Sequence, residues 1–489
     1  MTFFQKRGKI LVEKDGGEAF FGAGAEVQMY NSKTISVDFE KKCGKMKPLL
    51  GINGGPKSGG YDLPFDFSEE FSEMAVPFVR TASAAGEYGL NQFVNIHCIF
   101  PDFDADEELE ESYNFLPTDL YLSSIKECGG EIFFRLGESP EPYKRKLYAK
   151  SPRDKEKWAR ICEHIIMHYN EGWADGFKMN IKYFEIWSGA DRQECFASAR
   201  EEFFELYAVT ALHLRERFPK IKIGGYGMSG FYAQNRLGAS EEEKSYVPFM
   251  QKFLIYIRQK EAPLDFFTWC CHSANPEEIA MHSKYARNYL DTAGFRKTRS
   301  ILCDYNTQEA GDQLIAMREG FPSEIVAAMI TAQRAPIDMM FYATSDISSG
   351  NNGLFSMSDF RTPHRYAAFQ TATLFAKLSR LGTVAETVGD YQKELYTMAT
   401  FNSDEGALML VTRAYAGKLE INLKGSEYDL CTVTKVVSGG ERGRGSVYKS
   451  ENIKINKNRL ALTAKKNEVY YFELKKTADQ DSDEAQEID

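Results

Sequence analysis

Cysteine is scarce, with nine in 489 residues. Apart from the neighbours Cys270 and Cys271 they are scattered, with none of the CxxC pairing of a zinc site and too low a density for a disulfide framework. Reduced thiols and no bound metal or other cofactor are the expectation. An excess of base is missing as well: 60 Lys and Arg against 70 Asp and Glu leave a net charge of −10. That balance disfavours recognition of a phosphate backbone, so nucleic acid is not an expected partner. No stretch approaches the roughly 20 consecutive apolar residues that a membrane-spanning helix needs. The opening MTFFQKRGKILVEKDGG lacks the apolar core of a signal peptide, so a cytoplasmic location without membrane attachment is expected.

What is present is a pattern of short β-branched or aromatic runs alternating with longer amphipathic stretches. Eight such runs follow one another: PLLGING at 48–54, VPFVRTA at 76–82, EIFFRLG at 131–137, IKYFEIWS at 181–188, IKIGGYG at 221–227, LDFFTWCC at 264–271, RSILCDYN at 299–306 and IDMMFYATSD at 337–346. Between them, segments such as PRDKEKWARICEHIIMHYN repeat apolar residues at three- and four-residue intervals, the helical period. Eight strand-helix units predict an α/β fold, a (β/α)₈ barrel over residues 46–383. The flanks, 1–45 and 384–476, read differently. KTISVDFE, GALMLVTRAY, LEINLKG and VYYFELK alternate with period two between Gly, Asn and Asp turns, which predicts a β-sandwich assembled from both chain ends. The last stretch, TADQDSDEAQEID at 477–489, carries six acids and no base and is expected to be a disordered acidic tail.

In such barrels the functional residues lie at the C-terminal ends of the strands and in the loops that follow. There the chain reads KYFEIWSGAD after the fourth run, TWCCHS at the sixth, ILCDYN on the seventh and YATSDISSGNNGLFSMSDFRTPHRYAAFQ after the eighth. Together with the opening GINGGP, these motifs resemble glycoside hydrolase family 39, the β-xylosidase and α-L-iduronidase family. The resemblance implies a retaining glycosidase acting on a carbohydrate or glycoside. Its acid/base glutamate would sit in an Asn-Glu-Pro motif ending strand four, and its nucleophilic glutamate in a Glu-Trp-Asn-like motif ending strand seven. Laid on that pattern, Ser188, Gly189 and Ala190 replace Asn-Glu-Pro, so the proton donor is absent. Asp304, Tyr305 and Asn306 replace the nucleophile motif, so a carboxylate survives with a shorter reach. Around the rim, Ala82, Cys270 and His272 stand where the family places His, His and Tyr.

The residues themselves allow a functional reading and a structural one at each position. Asp304 is the candidate nucleophile or water-activating base, or else a buried carboxylate at the barrel mouth. Glu138 in RLGESPEP, His272 and Asp346 in TSDISSGN are candidates for a relocated acid or base; a loop histidine and a turn-capping aspartate are the plainer alternatives for the last two. Trp187 and Tyr305 offer ring faces to a pyranose or pack across the mouth. Ser188 and Asn306 complete the expected substrate-binding set; the resemblance implies that Arg80 braces Asp304, and an Arg80 facing Asp304 would depress its pKa, in a nucleophile or in a structural ion pair alike. Glu185 is expected to be a core carboxylate paired to a base. Alternation along the strand predicts that Cys303 and Asp304 face opposite ways, which breaks up any metal cluster of Cys270, Cys271, Cys303 and His272. Two functions from different classes remain: a glycosidase with an altered mechanism acting on small glycosides, or a pseudoglycosidase that binds carbohydrate or a protein partner without turnover. Homo-oligomer formation is left open by the sequence.

Overall fold

The computed structural model describes residues 5–6, 9–10, 32–57, 66–83, 94–141, 144–307, 320–343, 353–357, 363–389, 391, 393–425, 427–438 and 445–476. Each of the eight apolar runs contains one strand: Gly51–Asn53, Phe78–Arg80, Glu131–Leu136, Tyr183–Ile186, Lys222–Met228, Phe266–His272, Arg299–Asn306 and Met339–Tyr342. They pair in parallel, and the eighth returns to the first to close a barrel. Aromatic and aliphatic side chains fill the lower interior, where Phe133, Tyr183, Phe266, Ile301, Met339 and Phe341 form one cluster. Two residues further along the third and fourth strands, period-two alternation brings Arg135 and Glu185 inward above that layer, both with no exposed surface.

The surrounding helices follow from the sequence periodicity. Helix Lys155–Asn170 starts where the Asp154 carboxylate accepts from the Lys157 N–H, and it buries Trp158, Ile161, Cys162, Ile165, Ile166 and Tyr169 at helical spacing. Ser240 and Glu243 form a reciprocal capping box at the start of Glu241–Gln259.

The second layer is a single curled sheet of nine strands, in the order Ser446–Lys454, Leu430–Val437, Glu468–Lys475, Glu405–Thr412, Leu395–Phe401, Thr383–Val388, Ser32–Lys45, Gly417–Lys424 and Arg459–Ala464. Every pairing is antiparallel except that of Ser32–Lys45 with Gly417–Lys424. The sheet thus takes its strands from both sides of the barrel sequence, in keeping with a barrel plus β-sandwich. Its concave face closes on Ile35, Val37, Leu408, Leu410, Leu419, Ile421 and Phe472. The alternate residues Ala407, Met409 and Val411 join the barrel's own core, against helices Phe321–Arg334 and Ala367–Arg380. A strand apolar on both faces is what welds the two layers together. The acidic segment 477–489 lies outside the described residues.

Met409 is fully buried in this junction. Met409→Ala should therefore cost about 2–5 kcal/mol by leaving a cavity between sheet and helices, read as a lower midpoint in a denaturant titration.

Candidate active site

Beneath the mouth lies a buried guanidinium. Arg80, at the end of the second strand, donates from Nε to Glu185 Oε2 at 2.8 Å, from Nη1 to Asn53 Oδ1 at 3.0 Å and from Nη2 to Ser188 Oγ at 2.9 Å. Asn53 in turn donates its amide to the carbonyls of Cys303 and Tyr342. One cation thereby ties the first, second, fourth, seventh and eighth strands. Burial is the largest influence and opposes the charge of Arg80, but Glu185, Cys303, Cys270 and Asp304 together outweigh it and the pKa is raised. Burial likewise raises the Glu185 carboxyl, against the pull of Arg80. The resemblance implied Arg80 beside Asp304; its hydrogen bonds go to Glu185, Asn53 and Ser188, and its charge reaches Asp304.

Asp304 stands on the seventh strand with 29 % of its side chain exposed, and its Oδ1 lies 3.2 Å from His272 Nε2 on the sixth. Among the described residues that contact is the one hydrogen bond of the carboxylate, so Oδ2 is left for solvent or a ligand. Burial works against its ionisation, but the hydrogen bond and charge of His272, followed by the charges of Arg80 and Arg192, hold Asp304 below the usual carboxylate range. The expected opposition of Cys303 and Asp304 is not found. Strands six and seven slip register between Leu302 and Asp304, and the irregularity lets Cys303 enter the inner cluster with its Sγ 3.9 Å from that of Cys270 while Asp304 keeps to the mouth. Among the described residues no group of three or more His, Cys, Asp or Glu is placed to hold a metal ion.

Gly189, where the sequence reading expects the family's glutamate to be missing, is closed by backbone and side chains alike. Gly189 takes a left-handed φ of +69°, and a Cβ there would lie 2.9 Å from Cys195 Sγ and 3.4 Å from Arg192 Nη2. Trp187 also has a positive φ, of 67°. Its indole turns away from the cleft, 1 % exposed, to donate to the Cys195 carbonyl and pack against Phe196 and Trp158. Trp187 is therefore no platform for a sugar, and neither is Tyr305, 1 % exposed in the outer core beside Tyr342. Asn306, 8 % exposed, ends the seventh strand and accepts from the Ser273 N–H. Ser188 faces Arg80.

Glu138 is not a free acid. Its two oxygens are taken by the His97 backbone N–H at 3.1 Å and by the His97 ring Nδ1 at 2.5 Å. The imidazole stacks on Tyr148 with centroids 3.6 Å apart. Burial opposes its charge, but hydrogen bonds to Cys98 and Glu138 push the His97 pKa up to about 10. Asp346 lies outside the described residues.

Sequence reasoning passed over Asp191, two residues beyond Gly189 within the quoted EIWSGAD. Its carboxylate accepts from the Ser229 N–H at 2.9 Å and the Ser229 hydroxyl at 2.7 Å. Burial, only partly offset by these bonds and by Arg192, pushes its pKa up to about 6. Nothing in the sequence marks that burial, because Ser229 arrives from the loop after the next strand.

Two outcomes follow from these pairs. Arg80→Met strands Glu185 in the barrel interior and should cost about 3–5 kcal/mol, most of it regained when Glu185→Met is added, by chemical denaturation of both variants. For His97 the folded pKa, about 10, lies above the ordinary 6.5. Its stabilising contribution is then complete below about pH 6.5 and is lost as pH rises toward 10. His97→Gln should flatten that part of the stability profile.

Residues 77–293 match the family model for glycosyl hydrolases family 39. A β-xylosidase of Geobacillus stearothermophilus is 22% identical over 221 residues, 43% of this chain and 40% of the relative's length, so the chain aligns with under half of that protein. Among solved structures, a glucosidase from Croceicoccus marinus superposes with a TM-score of 0.74 at 20% identity, over 92% of this chain and 100% of that one. The family 39 enzyme from Xanthomonas axonopodis pv. citri does so with a TM-score of 0.66 at 13% identity, over 92% and 98%. At such identities the structural likenesses speak for the fold, and residues 77–293 are the segment that resembles glycoside hydrolase family 39.

Proposed function

We propose that this protein hydrolyses small glycosides at the barrel mouth by a mechanism altered from the two-glutamate retaining one, with Asp304 as the essential carboxylate. The observation that carries the reading is the placement of Asp304: on a barrel strand at the C-terminal face, partly exposed, with one oxygen held by His272 and the other unengaged among the described residues. A carboxylate kept ionised and short of the anomeric carbon by about one bond length leaves room for a water between them. Asp304 then orients that water and takes its proton, which fits the wider carboxyl spacing of inverting enzymes, roughly 6.5–9.5 Å. The names of the relatives, a β-xylosidase and a glucosidase, suggest aryl xylosides and glucosides as first substrates.

The closed backbone at Gly189 favours a second reading, a binding protein without turnover, because the family's proton donor has no place to stand. The two separate in one experiment. With 2,4-dinitrophenyl xyloside and glucoside, whose leaving group departs unprotonated, Asp304→Asn should lower kcat/KM by about 10²–10⁴ with the circular dichroism spectrum unchanged. Turnover that survives Asp304→Asn makes the carboxylate structural. Absence of wild-type turnover, with saccharide binding that Asp304→Asn weakens in a calorimetric titration, establishes the binding protein.

A further inference from the structure

Among the described residues the family position offers a base and no acid, and two of the three replacements suggested by sequence, Glu138 and His272, do not supply one. Glu138 is bound by His97, His272 shares the side of Asp304, and Asp346 lies outside the described residues. One further carboxyl stands at the mouth. Asp191 follows the fourth strand by five residues, on the loop whose Gly189 N–H is bonded to the Tyr226 carbonyl of the fifth strand. Ser229, just past that fifth strand, clamps both of its oxygens. The loop also carries Arg192, whose positive charge acts on Asp191 and Cys270 and in turn on Asp304. Asp191 and Asp304 thus border the same cationic neighbourhood from the fourth and seventh strands, on different sides of the barrel mouth.

We infer that Asp191 is the proton donor of this site, standing in for the glutamate missing at Gly189; the inference rests on the hydrolytic reading above. In the step, the Asp191 carboxyl proton passes to the glycosidic oxygen as its bond to the anomeric carbon breaks. A water forms the new bond to that carbon and gives its proton to Asp304. The products are an alcohol and a free sugar, and the enzyme is left with Asp191 ionised and Asp304 protonated until solvent exchange resets both. Ser229 acts as a positioning residue: its hydroxyl and N–H fix the carboxyl while each oxygen keeps a lone pair for the acid proton. Two carboxyls whose surroundings push their pKa values apart, Asp191 upward and Asp304 downward, are suited to these opposite tasks.

Burial sets the Asp191 pKa first, opposed by the two Ser229 hydrogen bonds and by Arg192 on its own loop; Cys195 on that loop, Tyr226 from the fifth strand and Tyr246 from helix Glu241–Gln259 are the other titratable groups within reach of its charge. A general acid leaves a signature that a structural carboxylate does not: its loss matters only when the leaving group needs a proton. For wild type, kcat/KM on a phenyl glycoside should fall above about pH 6 as Asp191 ionises. Asp191→Asn should cut that value by about 10²–10⁴, abolish the alkaline limb, and leave the 2,4-dinitrophenyl glycoside of the same sugar within about tenfold of wild type. Ser229→Ala, which removes a bond that favours the ionised form, should move the limb to higher pH. Equal losses on both substrates with the limb retained, or no loss on either, would overturn the assignment while leaving Asp304 and the hydrolytic reading in place. Failure of wild type to turn over even the dinitrophenyl glycoside defeats the hydrolytic reading itself, and this inference with it.

Discussion

The barrel mouth is organised around one desolvated cation. Arg80 holds Glu185 and Ser188 on the fourth strand and Asn53 on the first, and Asn53 passes the restraint to the backbone of the seventh and eighth. Taking a guanidinium and a carboxylate out of water is costly, and the arrangement is stable only because nearly every donor in it has an acceptor at good distance. The consequence for the site is positional. The Asn53 amide fixes the carbonyl of Cys303, the residue immediately before Asp304, so the carboxylate that faces the cleft is carried on backbone that the buried cation holds still.

The departure at the fourth strand is larger than a side-chain replacement. Two left-handed residues, Trp187 and Gly189, bend the chain so that the indole is drawn outward to the Cys195 carbonyl while Cys195 and Arg192 fill the space beside Gly189. Restoring a glutamate at Gly189 would require a strained φ together with a contact of 2.9 Å to a sulfur. The turn is built without the acid, and Asp191 with its Ser229 clamp belongs to that same turn.

All eight barrel strands and the two-ended sheet were legible because each is recorded in periodicity, which burial imposes on sequence directly. The site was legible only as far as the strand ends. That Asp304 stands at the mouth follows from counting along ILCDYN; that Cys303 does not point away from it depends on a register slip against the sixth strand, a tertiary event with no mark in either strand alone. For Trp187 and Tyr305 the sequence left a sugar platform and packing both open, because an aromatic ring at a strand end is equally suited to a cleft and to the barrel's outer packing; burial decides for both, and at Trp187 the positive φ turns the ring away. The pairing of Glu138 with His97 joins a strand end to a short helix 41 residues earlier, a contact that no local pattern encodes.

The charges around the mouth constrain its chemistry further. Arg80, Arg192 and His272 surround Asp304 with positive potential and keep it ionised, whereas Asp191 feels burial most and Arg192 only in part. In water the two aspartates would titrate together. Here one is held in the form that accepts a proton, while the other keeps its proton up to about pH 6, through differences in partner rather than in residue type. Under the hydrolytic proposal, a glycosidic bond between them would meet a base on one side and an acid on the other. Under that same proposal, an aspartate on each side would reach the sugar across a gap where a longer glutamate would reach it directly.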